Sequence, residues 1–457
     1  MLKKITDWIK SIDKTSRIIA GVTAACVLAL VITAIVIKKP EGGGGVLTSS
    51  TAAESTTEVV SAEGLPEEEL TSPPEAPKEE RNAAGVVISD EYSVNLAAYA
   101  AYTEEIAGVL SRSGGVLLPF EINTVGTVIG PDGWLPVTNS DDKAEFIDMS
   151  TGKVVLQTEL TASSSFIDGI AAGCIKIADA TEGSGYVYGY INKKGELVRE
   201  LTLKSGKDLS DGLALICNAD DLYGYIDATG KDVIAPQFYN AGSFVNGIAA
   251  VAKNDKWGFI NKKGEFIIEP TYANVASSFA EGFCRVEIDN KWGFIDTTGK
   301  LITELKFEVA ANFKNGAAAV RINDKCGFIN QKGEYIAEPQ YENCYDFHSG
   351  LAAVQKGGKW GFINAEGKLV IEPKYGDAGD FYEGYAPVLD GDSMYFIDKE
   401  GKRAWGKRYT QAANFNTGLA IVTVEGKYGV INTKGEYVIE PTYANMTEIS
   451  FYAPKAK

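Results

Sequence analysis

From about residue 130 onward the apolar positions of this chain come in short, two-faced runs punctuated by glycine. In Trp360-Gly361-Phe362-Ile363, an extended backbone puts Trp360 and Phe362 on one side and Gly361 and Ile363 on the other. Neither side is polar, so the strand is read as packed on both faces, as between neighbouring blades of an array. Leu351 to Gln355 before it has the pattern of a small-apolar strand, with a turn at Gly357-Gly358. Ala365-Glu366-Gly367 predicts a short hairpin loop whose glycine supplies the positive φ such loops require. Lys368 to Glu372 returns, and Pro373 ends that strand because it cannot donate to a ladder. Tyr375, Ala378 and Phe381 follow at a spacing of three, which predicts a bulged or irregular segment. One unit thus holds about four short extended stretches.

The unit recurs at a fixed period of about 34 residues. A glycine after the aromatic slot falls at 189, 224, 258, 293, 327, 361 and 429; Tyr395 fills the slot once, and Glu145 fills it in a divergent first copy. A hairpin glycine runs from Gly152 to Gly435, with a leucine or aromatic eight positions later, as at Phe238, Tyr272 and Tyr375. A further glycine opens the small-apolar strand, from Gly133 to Gly418. These registers give about nine units between Trp134 and Tyr443. The glycine of the aromatic slot is expected to let a neighbouring backbone or ring approach closely.

The line Lys256-Trp257-Gly258-Phe259-Ile260-Asn261-Lys262-Lys263-Gly264-Glu265 and its copies from Lys291, Lys325, Lys359 and Lys427 resemble the bacterial WG-repeat family, also called KWG repeats. The resemblance spans roughly residues 130 to 450. Lys143-Ala144, Val187-Tyr188, Leu222-Tyr223 and Ser393-Met394 depart from its Lys-Trp. It implies β-rich repeats, often on secreted or membrane-anchored chains, and it implies no activity. The fold expected is an all-β repeat array, β-propeller-like or, alternatively, an open solenoid of hairpins. Tyr443, Met446 and Ile449 repeat the Tyr375-type stretch with no following strand to pair with. In a closed ring they would complete the first blade.

The amino-terminal part reads differently. Ile18 to Ile37 is an uncharged apolar run, and twenty helical residues span ~30 Å, one bilayer core. Lys3, Lys4, Lys10, Lys14 and Arg17 precede it, which predicts a cytoplasmic tail over 1–17 and an extracytoplasmic body. Residues 38–82 are rich in Gly, Ser, Thr, Pro and Glu and read as a disordered acidic stalk. Residues 83–122 are expected to form a helical cap or brace, because Leu96, Tyr99, Thr103, Ile106 and Leu110 recur at three and four between Ser93 and Gly114-Gly115. The array itself is assigned to 123–457. A Gly-, Ser- and Thr-rich insertion marks the second unit near Ala178 to Tyr186.

The net charge of −17 and an acidic repeat body argue against nucleic acid and anionic wall polymers as partners. His348 is the only histidine and is read as a solvated turn residue, which excludes a multi-histidine metal site. No Cys-x-x-Cys pair occurs. Cys174 and Cys217 occupy equivalent slots in adjacent units, so one disulfide is conceivable there, with buried free thiols the default. Asp390-Gly391-Asp392 and Asp220-Asp221 are explained by turn chemistry. Trp405-Gly406 belongs to a different strand of the repeat and is not a motif copy. Trp257, Trp292 and Trp360 are the candidate ligand-contact aromatics, although one aromatic per unit is the signature of a core. The expectation is a membrane-anchored, extracytoplasmic binding or scaffolding module, without cofactor or catalysis; the alternatives are a sensor or assembly module for an envelope protein partner and, on clustered carboxylates alone, an envelope hydrolase. The membrane (through Ile18 to Ile37) and an envelope protein or neutral glycan are its expected partners.

Overall fold

Each repeat folds as a small antiparallel sheet because its turns are chemically encoded. The first and second strands are joined by a two-residue turn with both residues at positive φ, as at Asn246 (52°) and Gly247 (79°). This mirror-image turn matches strand twist, and Asn, Asp and Gly adopt it at least cost. Between the third and fourth strands Asn261 accepts the backbone N–H groups of Lys263 (2.9 Å) and Glu265 (3.1 Å), while Gly264 takes φ 82°. Asn or Asp at the end of the third strand is therefore a hairpin cap.

The computed structural model describes residues 96–103, 106–177 and 185–452. Their strands form ten sheets, the blades of a propeller. Blade 5 is representative: Asn240–Ala241 on the inner edge, then Ile248–Lys253, Lys256–Asn261 and Phe266–Tyr272 on the outer edge. Trp257 pairs with Tyr272 and Phe259 with Ile268, with a bulge between them that brings the outer main chain against Gly258. A Cβ on Gly258 would sit 2.5 Å from the Ile268 carbonyl oxygen and 2.7 Å from the Pro270 nitrogen. The close approach expected of this glycine is thus made by the blade's own outer strand. In blade 9 Tyr395 takes the slot, and the outer strand is reduced to isolated bridges at Tyr409 and Arg403. Blade 6 keeps Gly293 but has Leu305 where blade 5 has Pro270, and it also forms only isolated bridges there.

Ten apolar clusters hold the blades together, one at each junction. In the cluster between blades 8 and 9, Trp360 and Phe362 meet Ala386, Val388 and Ile397. Ile363, on the opposite face of the same strand, packs with Phe328 and Phe347 in the cluster toward blade 7. Each blade therefore presents its aromatic face forward and its aliphatic face backward. A fully buried side chain of this size stabilises by ~1.5–3 kcal/mol, and no blade can bury both faces alone.

The array is closed. The carboxyl-terminal strand Asn445–Phe451 lies between Leu96–Tyr102, which it pairs with antiparallel, and Val128–Ile129, which it pairs with in parallel. Met446 packs with Tyr99, Leu110, Leu419 and Val430, and Ile449 with Ala98, Val109 and Leu135. The unpartnered Tyr443-Met446-Ile449 stretch does complete the first blade, and the open solenoid is excluded.

Two expectations are corrected. The segment read as a helical cap is a blade: Leu96–Tyr102, Ala107–Ser111 and Val116–Ile122 are strands. Residues 98–101 and 107–111 are all buried, so neither face of this sheet is the polar side an amphipathic helix requires. The array accordingly has ten blades rather than nine, and it begins at Leu96 rather than 123. The expected tail, transmembrane helix (18–37) and stalk (38–82), together with most of the second-unit insertion (178–184), lie outside the described residues. Among the described residues no helix is long and apolar enough to cross a membrane.

Candidate functional site

The inner strand of each repeat runs into a buried apolar residue, such as Phe347 or Phe381. The residue after it in one blade faces the residue before it in the next. Lys314 of blade 7 comes within 3.9 Å of Asp346 of blade 8, and His348 within 3.6 Å of Asp380 of blade 9. Asn416 of blade 10 donates to the Glu448 carboxylate of the closing strand at 2.6 Å. A polar girdle thus spans three of the ten junctions, whereas Val245 and Ala280 hold the same slot in blades 5 and 6.

His348 is part of this girdle. It is 1% exposed, 2.9 Å from the Lys314 ammonium and 3.3 Å from the Tyr382 hydroxyl, and its ring lies 4.5 Å from that of Tyr382. The expectation of a solvated turn residue is therefore wrong. The turn is at Ser349-Gly350, and the position before it points across to the neighbouring blade.

Between blades 3 and 4 the same two slots hold Ile167 and Asp208. Ile167 offers no donor. Asp208 is left with the hydroxyl of Ser164, and desolvation by the surrounding walls raises its carboxyl above the usual range, partly offset by that hydrogen bond. The side chain is exposed and lines a cavity of about 1170 Å³ formed by blades 3, 4 and 5. Asp168, Ser164, Tyr188, Ser243, Asn246 and Tyr452 also line it. Burial, followed by the charges of Asp168 and Asp208, raises the Tyr452 phenol, and all three residues line the cavity.

The walls are pinned from behind. The Tyr190 hydroxyl donates to the Lys207 carbonyl and the Tyr225 hydroxyl to the Gly242 carbonyl, each at 2.7 Å. The Ser210 hydroxyl donates to the Phe244 carbonyl at 2.6 Å. Lys262 bonds the Asp211 carbonyl and lies 3.8 Å from its carboxylate. Gly206 leaves room for Tyr190, whose hydroxyl would be 2.7 Å from a Cβ there. The cavity is preformed rather than a gap in loose packing.

The three sequence-predicted aromatics are elsewhere. Trp360 is buried and stacked on Tyr345 at 4.6 Å. Trp292 is half-buried under the Arg285 guanidinium, 4.9 Å from its ring. Trp257 is half-buried in the cluster between blades 5 and 6. Each packs in a blade junction, and none lines the cavity. In blade 7 the same slot holds Cys326, which is disulfide-bonded to Cys344 on the inner strand of blade 8. The cysteine expectation is corrected accordingly: the bond joins these two, while Cys174, Cys217 and Cys284 are free and buried. Burial raises the Cys174 and Cys284 thiols, so neither is primed as a nucleophile. Asp220-Asp221 is a turn in which Asp221 pairs with Lys204 at 2.5 Å.

Eight consecutive stretches (188–220, 223–257, 257–292, 292–326, 327–360, 360–392, 396–428 and 428–450) match the family described as WG containing repeat. The chain belongs to the WG-repeat family. The cavity lies where these WG repeats begin, at the junction of blade 3 with blades 4 and 5. A comparison with curated proteins finds no match. Similar solved structures include a eukaryotic initiation factor, at 11% identity and TM-score 0.48, covering 78% of this chain and 98% of that one. BamB from Moraxella catarrhalis is similar at 12% identity and TM-score 0.29, covering 84% and 99%. The computationally designed Ika8 protein is similar at 13% identity and TM-score 0.30, covering 62% and 95%.

Proposed function

We propose that this WG-repeat protein is a membrane-anchored binding module whose ring works outside the cell membrane and takes its ligand in the cavity of blades 3 to 5. The observation that carries the reading is the Asp208 carboxylate, which meets no basic or amide side chain at the equivalent slot of the preceding blade. Lys314, His348 and Asn416 meet carboxylates of the next blade, whereas Asp208 faces Ile167 and opens on a large preformed cavity. The uncharged run Ile18 to Ile37, with its basic amino-terminal flank, supports the anchor and the orientation. The Cys326–Cys344 bond supports an oxidising surrounding. No catalytic step is assigned to the ring.

A protein partner is a second reading, with a different location. The outer strands carry exposed apolar side chains at equivalent slots, Val233, Ile267 and Val370. A sensor or assembly partner would engage this rim.

Two measurements test the proposal. Protease added to intact cells should release the repeats by cutting between Pro40 and Asn82; full protection, with exterior controls digested, would overturn the orientation. Labelled envelope polysaccharide should bind the full-length chain and lose at least tenfold in affinity with Ala162→Trp, which fills the cavity from its wall. Equal binding by this variant would remove the cavity from the function.

A further inference from the structure

We infer that the outer segment of blade 9, residues 402–408, is a docking strip for an acidic segment of the same chain, residues 63–80. The strip is separate from the cavity, and the contact adds a latch between the ring and the sequence that precedes it.

Blade 9 breaks the charge pattern of the rim. Five positions after the hairpin glycine other blades carry a glutamate on the outer strand, as at Glu269, Glu338, Glu372 and Glu440; blade 9 has Gly406 there. Its outer segment, Lys402-Arg403-Ala404-Trp405-Gly406-Lys407-Arg408, holds four cations and no acid in a chain of net charge −17. With Tyr395 in the glycine slot, this segment touches the blade only through the bridges at Arg403 and Tyr409. Between them the backbone N–H groups of Trp405, Gly406, Lys407 and Arg408 make no hydrogen bond among the described residues.

Aromatic rings hold the cations in one place. The Arg403 and Arg408 guanidiniums lie 4.8 and 5.7 Å from the centre of the same Tyr395 ring. Lys374 of blade 8 lies 5.1 Å from the Tyr375 ring, which meets Tyr395 edge-on at 6.4 Å. On the other side Lys407 sits 3.8 Å from the Tyr437 ring of blade 10. The strip therefore runs across three blades, and cation–π contact presets its side chains. Arg403 uses Nη2 on the Gly406 and Lys407 carbonyls, and Arg408 uses Nη1 on Ser393, which leaves their other nitrogens for a ligand. Among the described residues no carboxylate lies within ion-pair distance of Lys402, Arg403, Lys407 or Arg408. The nearby acids are otherwise engaged. Asp398 caps the hairpin, accepting the Glu400 and Lys402 N–H groups at 3.1 and 2.8 Å, and Asp390 accepts the Tyr395 hydroxyl at 3.4 Å.

A run of carboxylates fits this strip, and the chain contains one. Residues 63–80 lie outside the described ones; their sequence supplies seven glutamates against one lysine, with Glu67-Glu68-Glu69 flanked by Leu65 and Leu70. Guanidiniums take carboxylates through paired hydrogen bonds, and the unclaimed N–H groups add further donors. Val370 is exposed on the outer strand of blade 8, next to Ile371, against which Gly401 packs, and offers apolar surface to a flanking leucine. Exposed ion pairs are individually weak, so the contact depends on several at once and on tethering. The chain from Glu69 to Leu96 can extend to roughly 90 Å. Leu96–Tyr102 lies in blade 1, two blades from blade 9 around the closed ring. A second copy must find the strip by diffusion, whereas this segment is always within reach.

The test is carbodiimide cross-linking of the full-length chain in detergent, which joins a carboxylate to a lysine only where the two touch, read by mass spectrometry. Lys402 and Lys407 should cross-link to Glu67-Glu68-Glu69 in about tenfold or greater yield over Lys153 and Lys434, which lie in the blades flanking blade 1. Salt at about 1 M should remove these cross-links. An equal mixture of heavy-isotope and ordinary chains should give no mixed pairs. A synthetic peptide of residues 61–80 should bind a Glu67→Gln, Glu68→Gln, Glu69→Gln variant about tenfold or more tightly than the parent, whose strip is already filled. Adding Arg403→Gln and Lys407→Gln should abolish that binding, with the melting temperature verifying the fold; the glutamine variant alone lies outside the ring and leaves it intact. Four outcomes would each overturn the inference: equal yields across the lysines, mixed-isotope pairs that give the strip to a second copy, cross-links lost in phosphatidylglycerol vesicles that give it to lipid, or equal peptide binding by parent and glutamine variant.

Discussion

At the residue scale the repeat motif is a list of packing solutions. Tryptophan and phenylalanine fill the junction with the next blade, isoleucine fills the junction with the previous one, and asparagine or aspartate caps the hairpin. The glycine between them is there for its missing side chain. At Gly361 a Cβ would lie 2.4 Å from the Ile371 carbonyl oxygen and 2.6 Å from the Pro373 nitrogen, both main-chain atoms of the outer strand. At Gly293 the nearest atoms, the Glu304 carbonyl oxygen and a leucine methyl, are 3.0 Å away. Gly361→Ala is therefore expected to destabilise by about 2–3 kcal/mol, and Gly293→Ala by under about 1.5 kcal/mol. Denaturant midpoints of the two variants check the order; equal midpoints would show that the outer strand yields at no cost.

Much at the element scale was legible in the sequence, and the failures have physical causes. Strand existence, hairpin positions and the two-sided packing of the third strand follow from period and turn chemistry, which are local. The first blade was read as a helix because the larger side chains of Leu96-Ala97-Ala98-Tyr99-Ala100-Ala101-Tyr102 stand three apart among alanines, which mimics a helical period in a run that is apolar throughout. Its identity was nevertheless on the page. Gly108 fills the aromatic-slot glycine, Gly114 the hairpin glycine, and Ile122 the position eight residues later. Gly108 even shows the same intolerance, with Phe120 at 2.9 Å and the Leu118 carbonyl oxygen at 3.0 Å from a Cβ. Asp208 was overlooked for a different reason: its slot is ordinary, and only the absence of a partner at Ile167, one blade back, distinguishes it. The His348 error has the same origin, since burial there is set by the neighbouring blades.

The closing strand carries its own titration. Glu448 is half-buried, and desolvation raises its carboxyl above the usual glutamate range, with the Asn416 hydrogen bond acting in the opposite sense. A raised folded-state value means that the folded ring holds the proton more tightly than the unfolded chain. The corresponding stability is present below the ordinary glutamate range and is lost as pH rises through the folded value. Glu448→Gln should flatten that part of the melting temperature's pH profile, and above the window it should be no less stable than the parent. A variant profile parallel to the parent's across the window would assign the pH dependence to other groups.

At the scale of the whole molecule, closure converts a linear array into one cooperative body. In an open array each end frays independently. Here the two ends share a sheet, and Met446 and Ile449 sit in the clusters on either side of it. Removing residues 445–457 should expose Tyr99 and Ala98, enlarge the hydrodynamic radius and broaden the single unfolding transition into several. The intact protein should protect the amides of Asn445–Phe451 from hydrogen exchange as well as those of Lys256–Asn261 in blade 5. A truncated chain with an unchanged melting midpoint and radius would show that closure adds nothing to stability.

That shared sheet also sets an order of events during synthesis. Among the described strands Leu96–Tyr102 leaves the ribosome first, and its inner neighbour Asn445–Phe451 leaves last. Throughout translation of the other nine blades the first one presents an unpaired, alanine- and tyrosine-rich edge, the kind of edge that recruits foreign strands. The long sequence separation makes its completion slow as well. A chain released before Asn445–Phe451 is made therefore keeps this edge open, whereas a chain that includes that strand covers it. Closure thus protects that edge only once all ten blades have been made.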